Sequence, residues 1–122
     1  MELNEISGRI IAAAMKVHTA IGPGVLESVY QTCLLHELKK AGLAVQAQAA
    51  LPVIYDGLHM DSGYRIDLLV ENTVIVELKC VDCFSNEHMA QCLNYLKASR
   101  LRLALLINFQ KPKVEWKRII YG

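Results

Sequence analysis

Tyr64-Arg65-Ile66-Asp67-Leu68-Leu69-Val70-Glu71-Asn72-Thr73-Val74-Ile75-Val76-Glu77-Leu78-Lys79-Cys80 sets two short apolar runs on either side of a polar turn. Apolar, β-branched runs of this length around such a turn predict a hairpin. Side chains alternate along a strand, so Val74, Val76 and Leu78 share one face and Ile75, Glu77 and Lys79 the other. If Glu71-Asn72-Thr73 is a three-residue loop, antiparallel pairing sets Asp67 across from Glu77 and Arg65 across from Lys79. A two-residue loop would shift that register by one.

Two carboxylates facing each other across strands repel, and half-buried they must either share a proton or hold a cation. A divalent cation is the economical resolution, and a hard one such as Mg²⁺ favours carboxylate and carbonyl oxygens. Lys79, on the same face as Glu77, would then stand beside a water held by that cation, to orient it, deprotonate it or offset developing phosphate charge. The competing reading is a solvated hairpin face with ordinary pairs, Asp67 to Lys79 or Arg65 to Glu77.

Upstream, Ile6, Ile10, Ala13, Ala14, Val17 and Ile21 recur at helical spacing until Gly22-Pro23-Gly24. A second helix is expected from Val25 to Ala41, with Val25, Leu26, Val29, Cys33, Leu34 and Leu38 as its apolar stripe and Glu27, Tyr30 and Gln31 as a polar line. Gly42 then supplies its stop. From Val45 to Tyr55 the odd positions are apolar or small, which predicts a strand; Pro52 argues for an edge or a bulge, and Asp56-Gly57 for a turn. Downstream, Ser85 can cap a third helix with Met89, Cys92, Leu93 and Leu96 on one face and His88, Gln91 and Tyr95 on a polar line that could border a site between helix and sheet. Leu101 to Phe109 reads as a strand covered on both faces, and Lys113 to Tyr121 as an edge strand. The order is ααβββαβ(β), an α/β (α+β) arrangement of two layers, a mixed sheet with helices packed on it.

The 122 residues are 53% apolar and 20% charged, with 13 Lys+Arg against 12 Asp+Glu. That is one domain, 1–122, able to bury a core without disulfides or metal, and it is not a disordered chain. Near-neutrality argues against coating of nucleic acid through bulk charge. Setting aside three acids and one base for a cleft leaves the remaining surface positive, so it does not argue against an enzyme that acts on nucleic acid. No apolar run approaches a membrane span, and the acidic start Met1-Glu2-Leu3-Asn4-Glu5 does not resemble a secretory signal, so a cytoplasmic protein with reduced cysteines is expected.

Asp67, Glu77-Leu78-Lys79, Gln91 and Tyr95 resemble the D…ExK…QxxxY arrangement of the PD-(D/E)XK nuclease superfamily, especially its RecB-type branch. Gly24-Val25-Leu26-Glu27-Ser28-Val29-Tyr30 resembles the G-x-x-E-x-x-Y signature of the GxxExxY proteins within it. Gly-Tyr-Arg-Ile-Asp at 63 to 67 and Leu-Ile-Asn-Phe at 106 to 109 extend the match over nearly the whole chain. The resemblance implies a restriction-endonuclease-like core and Mg²⁺- or Mn²⁺-dependent hydrolysis of phosphodiester bonds, in DNA. It implies that Asp67, Glu77 and the Leu78 carbonyl are metal ligands and that Glu27 is an additional ligand or water-holder. Lys79 would position or activate the attacking water, and Gln91 and Tyr95 would steady the site or the substrate phosphate. Related folds also serve without catalysis, so the alternative is a module that binds nucleic acid or protein.

Cys80-Val81-Asp82-Cys83 is a C-x-x-C, but Cys33 and Cys92 fall on apolar helix stripes and no second close pair completes a zinc or iron–sulfur site. His18, His36 and His59 are expected at the surface or helix ends, while His88 could line the cleft. Lys97, Arg100, Arg102, Lys111, Lys113, Lys117 and Arg118 gather positive charge that could guide a phosphate backbone. So short a core has little surface for gripping a duplex, which favours a homodimer or a larger protein partner.

Overall fold

The computed structural model describes residues 1–61 and 64–122 in full and Ser62 and Gly63 by backbone alone. Gly63, which opens the Gly-Tyr-Arg-Ile-Asp run, therefore lies outside the residues whose side chains are described. The elements are α1 (Leu3–Ile21), α2 (Glu27–Lys40), β1 (Val45–Tyr55), β2 (Leu58–Val70), β3 (Val74–Lys79), α3 (Asn86–Ser99), β4 (Leu103–Asn108) and β5 (Glu115–Ile120).

The strands form one sheet in chain order, β1-β2-β3-β4-β5. Only β3 and β4 run parallel, because α3 carries the chain back between them, and the other three pairs are antiparallel. The pairing Val70↔Val74 confirms the three-residue loop. Glu71 and Asn72 both turn through positive φ, and Glu71 also ties in the start of β1: its carboxylate accepts from the Ala44 amide at 2.6 Å, and its own amide donates to the Ala44 carbonyl. Asp56 and Gly57, again both at positive φ, join β1 to β2 as a two-residue turn.

Helices cover both faces of the sheet, where a two-layer packing was expected. Val70, Val74, Val76, Leu78, Leu103, Leu105 and Ile107 pack with α1 and α2; Ile75, Ala104 and Leu106 pack with Cys92, Tyr95 and Leu96 of α3. The reason is legible in β3 and β4, whose residues are apolar on both sides almost throughout. Ser85 caps α3 in a capping box, its hydroxyl accepting from the His88 amide while the Ser85 amide donates to His88 Nδ1. His88 is thus occupied in the cap, not in a cleft.

Several expectations shift. Helix α2 starts at Glu27, two residues later than expected, and Leu26 and Val29 are exposed. Its buried face is Tyr30, Leu34 and Leu38. Tyr30, read as polar, is fully buried and stacked on Phe109 with ring centroids 4.4 Å apart. Its hydroxyl donates to the Gly22 carbonyl and accepts from the Val25 amide, so it fastens the loop that leads into α2. His18, expected at the surface or a helix end, lies in the last turn of α1 but is buried against Phe109 and pairs with the Lys111 carbonyl at 2.8 Å. Ile21 is exposed instead.

In β1 only Ala49 and Leu51 of the odd positions are fully buried, because Gln48 takes a positive φ and the register shifts between Ala50 and Pro52. The bulge and the edge position suggested by Pro52 are both present. Strand β2 begins at Leu58, six residues before the apolar run that marked it. Edge strand β5 is mostly exposed, and its Arg118 donates to Ser7 Oγ and Asn4 Oδ1, pinning the start of α1. That guanidinium is engaged within the fold and is removed from the set that could guide phosphate. No helix among the described residues is long and apolar enough to cross a membrane.

Candidate active site

The β2–β3 ladder is regular from Val70↔Val74 to Leu68↔Val76 and stops there. The next pair would be Asp67 and Glu77, and at that point side chains replace the backbone pairing. The Leu78 amide donates to Asp67 Oδ2 at 2.8 Å, and the Asp67 amide lies 3.4 Å from Glu77 Oε1 as donor. The expected register therefore brings the two carboxyls together. Arg65 and Lys79 are not paired: Arg65 instead donates to the Gln48 carbonyl at 2.9 Å.

Glu77 is 6% exposed and faces the α3 side of the sheet with Ile75. Its carboxyl is pushed up to about 8, chiefly by burial, then by the charge of Asp67 and a hydrogen bond between the two side chains; the Asp67 amide and Lys79 pull the other way. Burial beside Asp67 therefore favours the protonated form of Glu77 when no cation is present. Oxygen donors that crowd together, and whose mutual repulsion is otherwise relieved by a proton, fit a hard divalent ion and not a soft one.

Glu27, at the first turn of α2, is open to solvent on one side. Its carboxyl is nevertheless raised by partial desolvation and by Asp67, with Lys79 opposing. Three carboxylates and one ammonium thus share one electrostatic neighbourhood. Glu27 stands back from the pair, however: no three His, Cys, Asp or Glu among the described residues converge closely enough to ligate one ion together. Lys79, half-buried at the end of β3, joins no ion pair among the described residues.

Helix α3 supplies the wall facing the pair. The Tyr95 phenol is raised by burial and then by Glu77, with smaller effects from Cys92, Asp67 and Tyr64. Cys92 is buried and pushed up to about 12 by burial and Glu77, so it stays a neutral thiol. Gln91, one turn before Tyr95, is exposed and lines a shallow depression with Tyr64, Glu87, Ala90, Asn94 and Tyr95. Among the described residues it makes no hydrogen bond to the carboxyl pair. The four cysteines are free.

Two residues that the sequence reading did not assign complete the surroundings. Gln48 lies across from Asp67, between the pairs Ala47↔Leu68 and Ala49↔Ile66. Its side-chain amide donates to Gln31 Oε1 at 2.8 Å and reaches Asp67 Oδ1 at 3.4 Å, linking α2 to the site. The Asp56-Gly57 turn alone does not give this register: without the shift between Ala50 and Pro52 it would set Gln48 opposite Arg65. Asn108, at the end of β4, is fully buried; its amide donates to the Val81 carbonyl and accepts from the amides of Val81 and Gln110. It clamps the chain that leaves β3 just after Lys79. The hollows between α1 and α2 contain none of these residues.

Two carboxyls thus meet where a ladder frays, followed by a lysine on the same strand. The chain belongs to the PD-(D/E)XK nuclease superfamily, whose family model matches residues 4–119, from the first turn of α1 almost to the end of β5. Nucleases of this superfamily typically use divalent metal ions. Among solved structures, the chain is similar to an alkaline exonuclease, LHK-Exo, from Laribacter hongkongensis, at 12% identity and a TM-score of 0.48, covering 99% of this chain and 83% of that one. It is also similar to LHK-Exo in complex with dAMP, at 11% identity and a TM-score of 0.49, covering 98% and 83%. No curated protein matches the chain.

Proposed function

We propose that this protein is a nuclease of the GxxExxY type that hydrolyses phosphodiester bonds in DNA and depends on Mg²⁺ or Mn²⁺. The observation that carries the reading is the Asp67–Glu77 carboxyl pair, held by the Leu78 amide and followed by Lys79, which joins no ion pair among the described residues. Asp67, Glu77 and the Leu78 carbonyl would hold the ion, with Glu27, which stands back from the pair, holding a water beside it rather than ligating it directly. When bound, the ion supplies Lewis-acid charge that draws negative charge off the reacting phosphate.

The rest is the work of the chain itself. The Leu78 amide fixes Asp67 Oδ2, so one carboxylate is oriented before substrate arrives. Lys79 Nζ orients the attacking water and offsets charge as it develops on the phosphate oxygens. Tyr95 steadies the α3 side of the cleft, and Gln91 stands at its outer rim where it can meet the substrate strand. The buried wall of Ile75, Leu106 and Leu96 lowers the local dielectric and strengthens each of these interactions.

The test is cleavage of single-stranded, double-stranded and branched DNA with Mg²⁺ or Mn²⁺, beside an Asp67→Asn, Lys79→Ala double variant. Ion-dependent cleavage that the double variant loses supports the reading. Equal cleavage in both preparations, or none with any substrate, overturns it. In the latter case, nucleic-acid or protein binding that survives loss of Lys79 and needs no ion would identify a non-catalytic module.

A further inference from the structure

We infer that the depression lined by Tyr64, Glu87, Ala90, Gln91, Asn94 and Tyr95 receives one unpaired nucleobase of the substrate strand, so that the protein acts on single-stranded or frayed nucleic acid. The inference rests on the nuclease reading above and names its substrate class.

The depression adjoins the carboxyl pair through Tyr95, which lines it and whose phenol lies within the electrostatic reach of Glu77 and Asp67. Tyr64 meets Tyr95 edge-on, with ring centroids 5.4 Å apart and planes at 62°. That contact fixes the orientation of a ring that is still 42% exposed. An oriented, partly exposed aromatic face is what a base stacks on, whatever its sequence.

The other lining residues decide what can enter. Gln91 and Asn94 are amides that both donate and accept, and so can meet the polar edge of a base. The small side chain of Ala90 leaves the floor open. No Lys or Arg lines the depression among the described residues, and Glu87 puts a carboxylate on its rim. A phosphate is repelled there, whereas an uncharged base is not. The volume, about 320 Å³, is at the small end of ligand sites and suits one base, not a run of them.

A base within a duplex has its polar edge paired and its faces covered by neighbours, so it must leave the stack to reach Tyr64. A strand placed with its base in the depression and its phosphate at Lys79 is therefore locally single. Glu87, Gln91, Asn94 and Tyr95 project from one face of α3, whose capping box holds the helix start rigid. The subsite is thus tied to the same helix that walls the carboxyl pair.

The test is binding by the full chain carrying Lys79→Ala, with Mg²⁺, to a single-stranded DNA oligonucleotide and a blunt duplex, each containing a fluorescent purine analogue. The expected result is preference for the single strand, with quenching of the analogue. Adding Tyr64→Ala should weaken single-strand binding by about 5- to 100-fold, as for loss of one stacked base, and abolish the quenching. Tyr64→Trp should preserve both, and Asn94→Ala, on the exposed face of α3, should also weaken single-strand binding. Preference for the blunt duplex, or equal loss on both probes, overturns the inference. If the unmodified protein cleaves DNA while Tyr64→Ala and Asn94→Ala change no binding, the subsite fails and the nuclease reading stands. If there is neither binding nor cleavage, both fall.

Discussion

The two faces of β3 carry opposite chemistry within six residues. Val74, Val76 and Leu78 are buried against α1 and α2, in a cluster that extends from Ile6 to Phe109. Ile75 opens the other face in an apolar setting against α3, and Glu77 and Lys79 follow on that side. The backbone differs in step: paired on both sides through Val76, the strand loses its β2 ladder where Glu77 begins. One face makes β3 rigid, and the other uses that rigidity to hold charges that would destabilise an ordinary core. Charge is tolerated where Asp67 has replaced a backbone partner and where Tyr64 of β2 and Gln91 of α3 meet solvent.

The comparison breaks most plainly if substitutions on the two faces have the same consequence. Lys79→Ala should lower DNA cleavage by about 100- to 1,000-fold, the range for removing one group that stabilises developing charge, while leaving the melting temperature near that of the parent protein. Kinetics and thermal melting on the same preparation check this.

On the α1/α2 side the expectation reverses. Tyr30→Ala empties the stack on Phe109 and should cost about 3–5 kcal/mol of folding stability, as large aromatic truncations in cores do. Tyr30→Phe keeps the ring and loses only the hydroxyl's contacts to Gly22 and Val25, at about 1 kcal/mol per hydrogen bond. Urea unfolding distinguishes the two.

A smaller effect sharpens the comparison through pH. The Glu77 carboxyl is pushed up from 4.5 to about 8 in the fold, so its proton favours the folded state. That contribution is fully present below pH 4.5 and is lost as pH rises through 8. Without divalent ion, the melting temperature should fall between pH 5 and 8 more steeply than in Glu77→Gln, and Mn²⁺ should remove much of the difference. Identical pH profiles for the two proteins would show that Glu77 is not held in this way.

Much of the site follows from alternation alone. In a strand as short as Val74–Lys79, period two fixes which residues share a face, and a three-residue turn fixes Asp67 opposite Glu77; both are local properties. The buried stripe of α2 departs from the one its spacing predicts because Tyr30 has both a polar tip and a large apolar ring, and only the position of Phe109, far along the chain, decides which is buried. Gln48 is hidden from local periodicity for a related reason. Its positive φ and the register shift after Ala50 change the faces of β1, so alternation stops predicting burial there. Arg118 belongs to the same class: its partners Asn4 and Ser7 are more than a hundred residues away in sequence. Local periodicity captured the carboxyl pair, while the residues that brace it depend on contacts that tertiary packing creates.

The account turns on the Asp67–Glu77 pair being a cation site, and a crystal soaked with Mn²⁺ tests this most directly. The expected result is an anomalous peak between the two carboxylates, beside the Leu78 carbonyl, that is lost or weakened in Glu77→Gln. A peak elsewhere, or none while the two carboxyls remain hydrogen-bonded to each other, would contradict it.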